Sequence, residues 1–103
     1  MLDLSKRKKS LFTLKLPDGT VLIIPSPKKR IFEKMAGLNE MTDTLTPASI
    51  DEVYGLMAEI LSSNTQNKKY SAKSVGEMLD FDDINAVLND YMAFAGYVLD
   101  DPN

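Results

Sequence analysis

The chain has 103 residues, of which 44% are hydrophobic and 26% are charged, and this composition is typical of one small globular domain. Cysteine and histidine are absent, which excludes disulfide scaffolds, thiol nucleophiles, thiolate zinc sites and Ser-His-Asp triads. The sequence also contains neither a G-x-x-x-x-G-K-[ST] nor a G-x-G-x-x-G motif. We therefore predict a protein that is not an enzyme and that uses no cofactor and no metal.

Charge is distributed unevenly along the sequence. Residues 1–34 carry nine Lys or Arg against three acids, a net charge of +6, whereas residues 35–103 carry three Lys against twelve acids, a net charge of −9. Such asymmetry favours an oppositely charged partner or head-to-tail self-association. It is also typical of two solvated faces that bind nothing.

Residues 1–10 are predicted to form a basic N-terminal arm, with four consecutive Lys or Arg at positions 6–9. The apolar segment that follows the basic residues of a signal peptide is missing. The sequence also lacks an apolar run of the roughly 20 residues that span a bilayer. We therefore expect a cytoplasmic protein without a membrane partner.

A β-hairpin is predicted over residues 11–25. Leu11–Leu16 alternates between apolar and polar residues, and Thr20–Pro25 is rich in β-branched residues, as expected of two strands. Between them, Pro17-Asp18-Gly19 combines a fixed φ, a side-chain acceptor and a glycine that tolerates positive φ, which is typical of a turn. Pro25 ends the second strand because it cannot donate to a ladder.

The sequence leaves two registers open for this hairpin. A three-residue loop pairs Leu16 with Thr20, and a two-residue loop exchanges the faces of the second strand. The first register places Phe12, Leu14, Leu22 and Ile24 on one face and leaves Val21 and Ile23 on the other; in the second, Leu22 and Ile24 change places with Val21 and Ile23. Either register leaves two large aliphatic side chains on the second face. There are two alternatives. Either helices cover both faces of the hairpin, or its second face or an edge contacts another chain.

Two helices are predicted directly after the hairpin. The first spans Pro27–Leu38, with Gly37 near its end, and a loop follows over Asn39–Leu45. The second begins near Pro47 with Thr46 as its N-cap and stops at the polar run 62–67. We expect their apolar stripes to consist of Ile31, Phe32, Met35 and Leu38 in the first helix and of Ile50, Val53, Tyr54, Met57, Ile60 and Leu61 in the second. Ser49–Glu52 is a capping-box candidate one turn into the second helix.

Two further helices complete the prediction. A short helix opens at Tyr70-Ser71 and runs through Leu79, and a long terminal helix starts with Asp82 as its N-cap. The stripe of the long helix continues to Leu99, with Phe94 at its margin and Tyr97 farther round. The predicted fold class is α+β and mostly helical, a single domain over residues 11–103 with a helical part at 27–100.

Two charged clusters suggest other functions. Asp80, Asp82 and Asp83 resemble the start of a calcium loop, but Asn85 stands where an EF-hand needs glycine, so helix capping is the better interpretation. The basic residues of 6–9 and 28–30 flank the hairpin and could meet phosphates. The alternative function is therefore a small nucleic-acid-binding regulator that uses the basic N-terminal segment.

The order of local patterns resembles one known family. The segments that carry the likeness are Phe12–Leu22, Pro25–Lys29, Glu59–Asn64, Lys69–Ser71 and Leu79–Asp83, followed by one long terminal helix. Over residues 6–100 the chain resembles the tail assembly chaperones of long-tailed bacteriophages and prophages of Gram-positive hosts, the group related to the G-type chaperone of phage lambda. The likeness is one of overall pattern, and it carries no catalytic or ligand-binding residue over to this sequence.

The resemblance implies a non-catalytic protein of the bacterial host cytoplasm that is absent from the mature virion. Its partners would be the tape measure protein and the major tail protein, because such chaperones are thought to bind the long helical tape measure protein and to help recruit tail tube subunits. A homo-oligomer is expected, and nucleic acid is not an expected partner.

Six residues are candidates for partner binding. Val21 and Ile23, or Leu22 and Ile24 in the other register, are predicted to contribute to self-association. Phe94 and Tyr97 of the last helix are predicted to contribute to client contact.

Overall fold

A computed structural model of the chain describes residues 3–5, 11–40 and 47–100, without the side chains of residues 38–40 and 96–100. Its elements in chain order are β1 (Leu11–Lys15), β2 (Val21–Pro25), α1 (Lys29–Glu40), α2 (Pro47–Ser62), α3 (Ala72–Met78) and α4 (Phe81–Asp100). The predicted α+β fold, with one hairpin followed by four helices, is confirmed. Most of the predicted basic arm, the Thr46 cap and the side chain of Tyr97 lie outside the described residues.

The hairpin adopts the register of the three-residue loop. The Leu16 amide donates to the Thr20 carbonyl at 2.8 Å, and the Gly19 amide donates back to the Leu16 carbonyl at 2.9 Å. Gly19 has a φ of 92°, which glycine adopts without a steric penalty. The pairs Phe12–Ile24 and Leu14–Leu22 follow from this turn, so the first of the two predicted registers is confirmed.

One face of the hairpin, here called the inner face, packs on the helices. Leu22 and Ile24 are fully buried there, and Leu16 is nearly so. They join a core to which α2 and α4 contribute most of the remaining side chains: Leu56, Met57, Ala58, Ile60, Leu61, Ile84, Val87, Leu88, Tyr91 and Ala95. Burial of this apolar surface is the main term that stabilises the fold.

Helix α1 differs from its prediction at both ends. It begins at Lys29, where the Phe32 amide donates to the Lys28 carbonyl at 3.0 Å, and it continues through Gly37 to Glu40. The prediction that Gly37 ends the helix is therefore wrong, and the helix also takes up the first two residues of the predicted loop. Phe32, expected on the buried stripe, is 39% exposed, whereas Met35 is buried.

Glu59 joins α1 to α2. Its Oε1 atom accepts from both Lys34 Nζ and Arg30 Nη2, each at 2.8 Å. The hydrogen bond from Lys34 holds the pKa of the Glu59 carboxyl below its ordinary value, and the charge of Arg30 adds to this effect. The pair of cations thus connects α1 to the flank of α2.

Helix α2 starts at Pro47 and ends at Ser62, as its sequence predicts. Because the helix has already begun two residues earlier, Ser49 lies inside it, is buried, and is not the first residue of a capping box. Among the described residues, no helix is sufficiently long and apolar to span a bilayer.

Side chains cap the starts of both α3 and α4. Ser71 and Ser74 form a capping box at the start of α3. At the start of α4, the Asp83 amide donates to Asp80 Oδ1 at 2.8 Å and the Asp80 amide donates to Asp83 Oδ2 at 3.1 Å. The predicted N-cap Asp82 is therefore wrong by two residues: Phe81 is already helical, and Asp80 caps α4.

Candidate protein-binding surface

The second face of the hairpin, here called the outer face, carries no helix-facing core residue. It consists of Leu11, Thr13 and Lys15 of β1 and Val21, Ile23 and Pro25 of β2, which alternate with the inner-face residues. Leu11 is 54% exposed and Val21 is 49% exposed, while Ile23 is half-buried. The outer face therefore presents aliphatic side chains to the surroundings.

The register divides the four hairpin residues that the sequence singles out. Val21 and Ile23 lie on the outer face, as the three-residue loop requires. Leu22 and Ile24 are fully buried on the inner face, so they have no surface left for a partner. Their assignment to self-association belonged to the register that the hairpin does not adopt.

Phe94 lies at the margin of the α4 stripe, but much of its ring is used within the subunit. It contacts Phe12 and Tyr91, with ring centroids 5.7 and 6.0 Å away, and Phe12 meets Tyr91 edge-on at 5.5 Å. Such distances are typical of favourable aromatic pairs. This aromatic cluster fastens β1 to α4 and leaves Phe94 half-buried.

The outward edge of β2 is closed by a side chain from the loop between α2 and α3. The side-chain amide of Gln66 takes the place of a neighbouring strand's backbone. Its Oε1 accepts from the Ile23 amide at 2.9 Å, and its Nε2 donates to the Val21 carbonyl at 2.8 Å. The Thr65 amide donates to the Ile23 carbonyl at 2.9 Å. Pro25 has no amide hydrogen to offer at the next outward position.

Asn64 holds this loop in place. Its Nδ2 donates to the carbonyls of Leu61 and Lys68 at 2.6 and 2.7 Å, and its Oδ1 accepts from the amides of Gln66 and Lys68 at 2.9 and 3.1 Å. The sequence predicts only a helix stop for this run. The polar run contains several amide side chains, which can both donate and accept hydrogen bonds. Nothing in the local sequence indicates that one of them bonds to a strand 43 residues away.

The outward edge of β1 is open in the ranges 3–5, 11–40 and 47–100. Because the hydrogen-bonded pairs of the hairpin are Leu14–Leu22 and Phe12–Ile24, the amides and carbonyls of Leu11, Thr13 and Lys15 point away from β2. Within the described part of the chain, these outward groups have no hydrogen-bond partner. An unpaired strand edge is a template for another strand.

A groove runs beside this open edge. It has a volume of about 360 Å³ and lies between Leu14 and Leu16 on one side and Asp83, Ala86 and Val87 on the other. We call it the β1–α4 groove. Its walls are mainly apolar, so it can accept the side chains of a strand laid along β1.

This surface can form apolar contacts and backbone hydrogen bonds. In the ranges that the structure describes, no three His, Cys, Asp or Glu side chains are grouped closely enough to hold a metal ion. Asp80 and Asp83 belong to the acidic cluster that resembles the start of a calcium loop in sequence, and their carboxylates accept from the backbone amides at the start of α4. The arrangement is therefore suited to binding polypeptide.

Comparison of the chain with protein-family models, with curated proteins and with solved structures finds no match.

Proposed function

We propose that this protein is a non-catalytic tail assembly chaperone that binds a tape measure protein and helps recruit tail tube subunits. The observation that carries the proposal is the exposed outer face of the hairpin, with Leu11 and Val21 each about half accessible. The resemblance of the sequence to such chaperones supports the same function.

A long helical client suits this face. The client repeats apolar stripes along its length, and each stripe needs a small apolar surface rather than a deep pocket. Val21 and Ile23 sit two residues apart on one strand, about 6.6 Å along its axis, which is close to the rise of about 6 Å between residues i and i+4 of a helix. Many weak contacts of this kind allow several copies to coat one client.

The structure favours a different division of roles from the one in the sequence analysis. Phe94 is committed in part to the aromatic cluster, so it offers a client less apolar surface than the outer face does. We therefore assign client contact chiefly to Val21 and Ile23, with Phe94 in a secondary position.

The test is capture of the long helical protein encoded beside this chain's own gene, after the two proteins are made together. Val21→Lys and Ile23→Lys place a charge in the apolar contact, and we expect each to weaken capture roughly tenfold or more. Asn89→Lys adds the same charge at an exposed position of α4 and serves as the matched control.

Three outcomes contradict the proposal. The first is the absence of any long helical protein encoded beside the gene. The second is equal capture by the wild type, Val21→Lys and Ile23→Lys, with all three chains folded. The third is recovery of the chain in purified virions, since a structural subunit remains in the particle and an assembly chaperone leaves it.

A further inference from the structure

We propose that β1 pairs antiparallel with β1 of a second copy of this chain, so that two hairpins form one four-stranded sheet around a two-fold axis. The inference rests on the strand edges and not on the proposed function. It concerns the side of the hairpin, whereas the client is assigned to the outer face.

The two edges of the hairpin are not equivalent. On β2, Gln66 and Thr65 occupy the outward groups of Val21 and Ile23, and Pro25 blocks the next position. On β1, the outward groups of Leu11, Thr13 and Lys15 bond to none of the residues that the structure describes. The sheet can therefore grow in one direction only, which is the condition for a closed pair of copies.

The sequence of β1 is complementary to itself in one antiparallel register. When Thr13 faces Thr13 of the partner subunit, the two residues exchange a pair of backbone hydrogen bonds. Leu11 then lies opposite Lys15 of the partner subunit, so no like charges face each other directly. Phe12 and the partner subunit's Leu14 lie side by side on the inner face.

The β1–α4 groove provides room for this inner face. Leu14 is only half-buried in one subunit, and the groove beside it is lined by the apolar side chains of Leu16, Ala86 and Val87. In the proposed register, Phe12 of the partner subunit lies beside Leu14 at the margin of this groove. The pairing thus covers apolar surface as well as unpaired backbone.

The first test measures the mass of the full chain by light scattering, from the low to the high micromolar range. We expect a dimer of the wild type and a monomer of Thr13→Pro, with a rise in Kd of roughly tenfold or more because proline removes an outward donor from both copies. That amide does not bond to β2, so the hairpin ladder stays intact. Thr13→Ser keeps the donor and is expected to remain dimeric.

The second test uses amide hydrogen exchange of the wild type alone and decides the matter if Thr13→Pro does not fold. We expect the amides of Thr13 and Lys15 to become protected as the concentration rises, while Leu14, which bonds to β2, is protected throughout. A wild type that stays monomeric overturns the proposal. So does a dimer in which the Thr13 and Lys15 amides exchange freely, and so does protection of these amides by the client alone.

Discussion

Tyr91 lies at the centre of the core with a polar atom that finds no partner. The residue is fully buried, and its hydroxyl oxygen makes no hydrogen bond within the described part of the chain. The ring is nevertheless well packed against Phe12 and Phe94. Burial of an unpaired hydroxyl costs about 1–3 kcal/mol, so the ring stabilises the core despite its hydroxyl group.

Replacement of Tyr91 by Phe is expected to leave the free energy of unfolding at pH 7 unchanged or to raise it by about 1 kcal/mol. Burial raises the pKa of Tyr91 to about 12 from its ordinary value of 10.0. The unfolded chain therefore loses this proton first, and wild-type stability should fall as the pH rises from about 10 toward 12. Urea unfolding of both chains across this range measures the effect; parallel pH profiles would contradict it.

The two aspartates at the start of α4 give a sharp comparison. We expect Asp80→Ala to lower the free energy of unfolding by about 1 kcal/mol, because it removes the acceptor of the Asp83 amide. Asp82→Ala should cost less than about 0.5 kcal/mol, since it loses only an interaction with the helix dipole. Urea unfolding of the two variants checks the order, and an equal or larger loss for Asp82→Ala would contradict the assigned cap.

These caps show what residue types alone can predict. The sequence correctly predicts an acidic cap for α4, because a carboxylate accepts from free amides. It also places the start of α3 at Tyr70-Ser71, where Ser71 proves to be the cap. It cannot decide between Asp80 and Asp82, since either side chain could serve. The choice depends on where the backbone becomes helical, and packing of α4 against the core settles that.

The hairpin, at the scale of elements, owes its closed edge to a loop far along the chain. The two hydrogen bonds of the Gln66 side chain join β2 to the end of α2. An isolated hairpin is marginal in water, so this bridge and the buried inner face together hold the strands in place. The bridge also removes one of two possible sites for unwanted strand pairing.

We expect Gln66→Ala to lower the free energy of unfolding by about 1 kcal/mol, because it leaves the Ile23 amide and the Val21 carbonyl without their partners. Thr65→Ala is the matched control, since the Thr65 backbone amide still donates to Ile23. Urea unfolding gives the stabilities, and faster exchange of the Ile23 amide in Gln66→Ala identifies the cause. Equal stability and exchange in the two variants would contradict the closed edge.

The elements differ in how far the sequence predicts them. The hairpin depends on neighbouring residues, so local pattern suffices to predict it. Local pattern leaves two registers open, and the structure selects the one with Gly19 at positive φ in a three-residue loop. The end of α1 is harder to predict, because glycine also adopts helical φ and ψ and the helix continues through Gly37 to Glu40. A glycine inside a helix costs about 1 kcal/mol relative to alanine, which packing can offset.

At the scale of the whole molecule, the main question left by the sequence was whether helices cover one face of the hairpin or both. The helices cover the inner face, where Leu22 and Ile24 are buried, and leave Leu11 and Val21 about half exposed. Alternation identifies which residues share a face, but it does not say how many helices fit over it. The candidate surface was therefore predictable as a set of residues and not as an exposed site.

The basic and acidic parts of the sequence belong to different elements of the fold. The basic excess belongs to the part of the sequence that contains β1 and β2, and the acidic excess belongs to the part that contains α2, α3 and α4. Charges arranged in this way orient approaching partners more than they stabilise the fold. The two proposed contacts, at the outer face and at the β1 edge, both lie in the basic part.

The closure of β2 by Gln66 also has a temporal side. A ribosome synthesises the hairpin before residues 65 and 66, so for part of synthesis both edges of the nascent hairpin can pair with another strand. Only when the later loop has been made is the β2 edge closed. Slow translation between the emergence of residue 25 and the emergence of residue 66 from the ribosome would lengthen the interval in which neighbouring nascent chains on one polysome could stack into aggregates.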